Sequence, residues 1–157
     1  MQKVRRVISV IVQNEAQVLA RVSGLFAGRG YNIDSLTVAS IPNSHMSHMT
    51  IVTRGSARVI EQIIKQLHKL IPVYKVIEHD SMVEKEMVLI KFALKDINIA
   101  DIQALFEAYN GGVVNAGENM IIAMAADESK RIDHCIEAAQ NYNPIEIVRS
   151  GVVAMER

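Results

Sequence analysis

Twice along this chain the apolar spacing switches, in the same order, between the two-residue period of a strand and the 3.6-residue period of a helix. In the first half, Val7 to Val12 is a short β-branched run that fits a buried strand. Val18, Leu19, Val22, Leu25 and Phe26 then share one helical face, which Gly28 and Gly30 can end. Ile33 to Ile41 and Met46 to Thr53 read as two further strands around the turn residues Pro42-Asn43-Ser44. Ser56 can cap a second helix, whose stripe runs through Val59, Ile60, Ile63, Ile64, Leu67 and Leu70. Pro72 stops it, because the residue before a proline leaves helical geometry, and Val73 to Ile77 follows as a fourth strand.

The second half repeats the order. Glu86 to Leu94 is a strand, and Asn98 can cap a helix carrying Ile102, Leu105, Phe106 and Tyr109. Val113-Val114 and Met120 to Ala125 flank a turn at residues 115–119. Asp127 can cap a last helix with Ile132, Cys135, Ile136 and Ala139, and Pro144 precedes a strand from Ile145 to Val148. Right-handed crossovers turn each βαββαβ order into an antiparallel sheet with two helices on one face. The expected fold is therefore α+β: two ferredoxin-like βαββαβ domains in tandem, over 1–79 and 84–157. The boundary is expected at residues 79–83, where the balance of charge also changes.

Seventeen basic and seventeen acidic residues cancel over the 157-residue chain, which removes the overall positive field of a typical nucleic-acid binder. Residues 1 to 80 carry ten Lys/Arg against five Asp/Glu, and residues 81 to 157 carry seven against twelve, so the halves differ in sign. The single cysteine, Cys135, excludes an internal disulfide and fits a reducing compartment. Basic Lys3, Arg5 and Arg6 precede an apolar run too short for a signal-peptide core, and no run reaches the ~20 residues of a membrane span. A cytoplasmic location without a membrane role is the expectation.

The chemical motifs are sparse. Gly28-Arg29-Gly30 closes a helix instead of opening one, which suits a C-cap and not a dinucleotide fingerprint. Asn110-Gly111-Gly112 likewise reads as a helix end. His45-Met46-Ser47-His48-Met49 offers soft ligands, but strand alternation puts His45 and His48 on opposite faces, so no metal is assigned. Cys135 sits on an apolar stripe, where it reads as a small core residue. The expected central strands of the first half, Val7 to Val12 and Met49 to Thr53, lack the aromatics on which an RNA-recognition sheet stacks bases. No catalytic residue is assigned, and the apolar sheet edges suggest a homodimer that extends the sheet.

Other residues carry a family likeness. Arg5-Arg6-Val7-Ile8-Ser9-Val10, Asn14-Glu15, Leu19-Ala20-Arg21-Val22, Gly24-Leu25-Phe26, Arg29-Gly30-Tyr31-Asn32-Ile33 and Ser35-Leu36-Thr37-Val38 resemble the small, regulatory subunit of acetohydroxyacid (acetolactate) synthase. Met49-Thr50-Ile51, Gln66-Leu67-His68-Lys69-Leu70 and the closing Arg149-Ser150-Gly151-Val152-Val153 extend the resemblance over nearly the whole chain. It implies that the first domain is an ACT domain, a ferredoxin-like module that binds amino acids. It also implies a non-catalytic subunit that activates a thiamine-diphosphate-dependent catalytic subunit and makes it sensitive to valine. Thiamine diphosphate, magnesium and FAD would then belong to that partner, and this chain would hold no cofactor. An ACT-domain amino-acid sensor for another enzyme is the alternative, and a small ferredoxin-like enzyme is a third class.

By the same resemblance valine would lie between two ACT domains, beside the start of the first helix. The expected effector residues are Asn14, Gln17, Val18, Leu19, Asn32 and Ile33, with Asn32 supplied by the same protomer or by the other. A helix N-terminus can hold the carboxylate, asparagine amides both donate and accept, and the apolar side chains can receive an isopropyl group. Gln17 stands where the family typically has glycine. A glutamine there can fold back on Asn14 as a variant capping box and fill the effector's space, which would weaken valine binding.

Overall fold

The computed structural model describes residues 3–78 and 81–157. The elements follow in the order β1 (Val4–Gln13), α1 (Val18–Ala27), β2 (Ile33–Ser40), β3 (Met46–Gly55), α2 (Ala57–Lys69), β4 (Val73–Ile77), β5 (Met82–Ala93), α3 (Ile99–Glu107), β6 (Gly112–Ala116), β7 (Met120–Asp127), α4 (Ser129–Ala139) and β8 (Glu146–Glu156). Two four-stranded antiparallel sheets result, ordered β2-β3-β1-β4 and β6-β7-β5-β8. The expected βαββαβ order is thus present twice.

The chain divides into two compact units, Met1–Val83 with Val152–Arg157, and Glu84–Gly151. The expected boundary at 79–83 includes residues 79 and 80, which lie outside the described residues. The last six residues group with the first unit, whereas the sequence placed them in the second. The final strand is also longer than its apolar run suggested, continuing past Val148 through Arg149-Ser150-Gly151 to Glu156.

In the first unit, β1 pairs with β3 so that Ile8 opposes Ile51 and Val10 opposes Met49. These four side chains point at the helices and are 1% exposed or less, packed with Val22 and Phe26 of α1 and Ile60, Ile63 and Leu67 of α2. On the opposite face, Val7 and Val52 pack against Met82, Val152 and Ala154. The middle of the sheet is therefore covered on both sides, and a strand covered on both sides has no reason to alternate polar with apolar residues. That is why Val7 to Val12 is so nearly continuous in its hydrophobicity.

The caps follow the sequence in two helices. Ser56 accepts from the Val59 N–H at 3.4 Å at the start of α2, and Asn98 Oδ1 accepts from the Ala100 N–H at 2.9 Å at the start of α3. In the second unit Phe92 and Phe106 meet edge-on, with ring centroids 6.1 Å apart, beside Ile90, Ile102 and the buried thiol of Cys135. Burial pushes that thiol up to about 11, so it stays protonated. Asn110, and not Gly111, takes the left-handed conformation after α3, at φ 61°. Gly111 is needed for a different reason: a Cβ there would lie 1.7 Å from the Met124 carbonyl oxygen.

Asp127 does not cap α4 with the geometry expected of it. The cap position is Glu128, whose N–H donates to Asp127 Oδ1 at 2.8 Å. Its other oxygen accepts from Arg131 Nε at 2.6 Å and Asn110 Nδ2 at 3.2 Å, while Lys85 Nζ lies 3.4 Å from Oδ1. The Arg131 guanidinium, above all, holds the Asp127 carboxyl below the usual carboxylate range. A carboxyl depressed in the folded state contributes stability that is complete at neutral pH and is lost as pH falls below about 4. Wild type should accordingly lose more unfolding free energy between pH 7 and pH 3 than Asp127→Asn, as measured by urea denaturation. Identical pH dependence in the two proteins would show that this cluster is not a source of acid sensitivity.

Candidate functional site

The loop from Asn14 to Gln17 is fastened from three directions. The Gln13 N–H donates to the Pro72 carbonyl at 2.8 Å, the Asn14 N–H to the His45 carbonyl at 2.9 Å, and the Glu15 N–H to the Gln13 carbonyl at 2.9 Å. Asn14 Nδ2 donates to Ser40 Oγ at 3.3 Å. Asn14 is therefore occupied with the ends of β2 and β3 and does not cap the helix.

Gln17 occupies the N-cap position of α1, and its side chain makes no capping hydrogen bond. The expected variant capping box is absent, because the backbone N–H it would have reached, that of Asn14, is already bound to His45. The first turn contains no acidic side chain either. Neither of the usual internal partners, a capping side chain or a carboxylate, engages the positive end of this helix. A cavity of about 270 Å³ opens there, lined by Glu15, Ala16, Gln17, Val18, Arg21 and Pro72.

The lining has the two signs that a zwitterion needs. Arg21, one turn along from Gln17, offers a guanidinium to a carboxylate, and Glu15 can receive an ammonium group. Neither was singled out for binding in the sequence, although the i,i+4 spacing of Gln17 and Arg21 places them on one helical face. Pro72 arrives from 55 positions beyond Gln17 and had no local signal. Of the apolar candidates, Val18 is 3% exposed and packs into the core, whereas Leu19 is 45% exposed.

Asn32 and Ile33 lie elsewhere. They follow the C-terminal end of α1 and, with Ser23, Phe26, Ala27, Gly30 and Tyr31, line an open depression of about 430 Å³. The Asn32 carbonyl accepts from Thr53 Oγ1 at 3.1 Å, and Ile33 opposes Thr53 across the sheet. A helix of ten residues is about 15 Å long, so one amino acid cannot touch both groups within one chain. The structure brings together Gln17 and Val18 in one cavity, Asn32 and Ile33 in another, and does not join the two pairs.

Among the described residues no three His, Cys, Asp or Glu side chains converge in a way that could hold a metal ion. His48 stands in β3 between Ile11 and Ala39. No helix among those residues is long and apolar enough to cross a membrane.

Comparison with known proteins places this architecture. Residues 8–75 match the family model described as an AHAS small subunit-like ACT domain, and residues 85–157 match that for the small subunit of acetolactate synthase. The acetolactate synthase small subunit of Buchnera aphidicola subsp. Schizaphis graminum is 38% identical over 98% of this chain and 99% of its own. The isozyme 3 small subunit of Escherichia coli K12 is also 38% identical, over 98% and 96%. The chain belongs to the acetolactate synthase small-subunit family. A solved small subunit of this family, from Thermotoga maritima, superposes with a TM-score of 0.86 at 32% identity and 98% coverage of both chains.

Membership in the small-subunit family gives the closing Arg149-Ser150-Gly151 segment a context, and the geometry gives it a job. Arg149 pairs with Glu86, which is 6% exposed, and with Asp133 at 2.7 Å. Ser150 Oγ accepts from the Met87 N–H at 3.0 Å, and Gly151 has φ 86°, a conformation that glycine adopts without steric cost. The ion pairs and the hydroxyl bond fix β8 to β5 and α4 up to the residue where the chain leaves the second unit.

The contrast between the two helix starts in the first unit is measurable. Ser56→Ala should cost about 1 kcal/mol of unfolding free energy through the lost cap. Gln17→Ala should change it by less than about 0.5 kcal/mol, since no cap bond is broken. Chemical denaturation of both variants decides the matter, and a Gln17→Ala cost equal to that of Ser56→Ala would mean that Gln17 does cap α1 in solution.

Proposed function

We propose that this chain is the non-catalytic regulatory subunit of an acetolactate synthase, acting in the cytoplasm in the biosynthesis of valine, leucine and isoleucine. It associates with a thiamine-diphosphate-dependent catalytic subunit, raises its activity and carries feedback by valine. The observation that supports this reading most directly is the similarity to small subunits over 98% of the chain, spanning both domains. The absence of an internal cap at the start of α1, beside a cavity with both signs of charge, supports an amino-acid effector there.

A homodimer completes the proposed site. Gln17, Val18 and Leu19 of one protomer would meet Asn32 and Ile33 of its partner, because about 15 Å of helix separates these groups within a chain. Asn14 would support the loop through Ser40, not touch the effector. Binding across the interface favours the paired arrangement, so its free energy can bias the assembly that the catalytic subunit meets.

Gln17 weakens the effector in this proposal by occupying cavity volume, not by capping the helix. Its side chain lines the space in which a glycine would leave room for a ligand against the backbone. Calorimetric titration should find valine binding at least about tenfold tighter in Gln17→Gly than in wild type, a difference of about 1.4 kcal/mol. Equal affinity in the two proteins would remove Gln17 from the account.

Reconstitution tests the function itself. Adding this chain to the matching catalytic subunit should raise the rate of acetolactate formation, and the two should co-purify. An unchanged rate with no association would defeat the proposal.

A further inference from the structure

Strand β8 serves both compact units, and the way it does so suggests how an effector signal leaves the first. Up to Gly151 it belongs to the second unit and neighbours β5 in that unit's sheet; from Val152 it belongs to the first. In the first unit its last residues lie on the sheet face opposite the helices. Val152 and Ala154 pack against Val7 and Val52, the Val152 N–H donates to Ser35 Oγ at 3.4 Å, and Glu156 reaches Lys75 at 4.0 Å.

Ser35 is the informative contact. It lies two residues beyond Ile33, the first residue of β2, so a hydroxyl on the strand leaving the candidate effector site holds the first residue of this segment. Ser35 and Val7 both oppose Val52, which makes them one row across the sheet. The next row on the same face is Ser9, Thr50 and Thr37. Ser9 Oγ and Thr37 Oγ1 are buried there with no hydrogen-bond partner among the described residues. A buried hydroxyl without a partner is costly, and that cost is relieved when water reaches it. The closed arrangement thus gains a few small apolar contacts and carries an opposing penalty close by, which suits an element with two accessible states.

We propose that Val152–Glu156 is a strap, seated on the first sheet when the effector site is filled and lifted more often when it is empty, so that occupancy at β2 is transmitted along β8 into the second unit's sheet. The proposal rests on the reading of this chain as an effector-binding regulatory subunit. An effector that holds Asn32 and Ile33 fixes the start of β2, and with it Ser35, in the position that accepts from Val152. At the other end, the pairing of Arg149 with Glu86 and of Ser150 with Met87 makes β8 a tether and not a loose tail.

Hydrogen exchange on the full-length chain, with and without millimolar valine, tests it. Valine should slow exchange in residues 14–21 and 32–36 and, with them, in residues 152–156 by about fivefold or more, the lower end of ordinary coupling between sites. Ala154→Lys puts an ammonium group where Ala154 is 7% exposed and should leave 152–156 fast-exchanging whether or not valine is present. Ser35→Ala, a milder change, removes the acceptor and should reduce the valine response of 152–156 while that of 14–21 persists. Protection of 14–21 and 32–36 with 152–156 unchanged would overturn the strap and leave the effector reading standing. No protection in any segment would overturn the effector reading and the strap together. A wild-type response of 152–156 in both variants would overturn the strap alone.

Discussion

A four-stranded sheet with both helices on one side has a second face to dispose of, and the central strands of the first unit are apolar on that face too. Val7 and Val52 cannot be left to water without exposing contiguous hydrophobic surface, and they are covered by Met82, Val152 and Ala154. The choice of cover has large consequences for the chain. The first unit takes its last residues from far along the sequence, the final strand has to be long enough to reach them, and Gly151 supplies the left-handed residue at the change of unit. The packing of one sheet face thereby determines the length of β8 and the meaning of the Arg149-Ser150-Gly151 segment.

Much of this architecture was legible because its signals are local. The helical stripe from Val59 to Leu70, its serine cap and its proline stop all lie within 17 residues, and the structure uses each of them. The alternation of periods was enough for the element order in both halves. The final strand past Val148 was not legible, because Arg149, Ser150 and Gly151 look like the end of a strand. Their partners are Glu86, Asp133 and Met87, at positions no pattern near residue 149 discloses.

The candidate site divided along the same line. An effector site at the start of α1 was implied by the family resemblance, and Gln17 and Val18 line a cavity at that place. The role of Asn14 could not be read, since His45, in the turn before β3, and Ser40, at the end of β2, come from elsewhere to occupy its backbone and its amide. Glu15 and Arg21 went unremarked as binding groups because a charged residue in a loop or on a helix is ordinarily just solvated surface. The helix start that could have capped itself with a side chain does not, and a cavity opens beside it.

The shared strand also imposes an order on biosynthesis. A ribosome makes the helices and four strands of the first unit before any of the second, yet Val152 and Ala154 come only after the second is complete. Until then Val152 and Ala154 are missing from the Val7 and Val52 face of the nascent sheet and only Met82 is at hand to cover it, on a fold that is otherwise ready to form. The first unit is thus the earlier to begin folding and cannot be the earlier to finish, so a chain stalled late in translation exposes an apolar sheet face of the kind that chaperones bind.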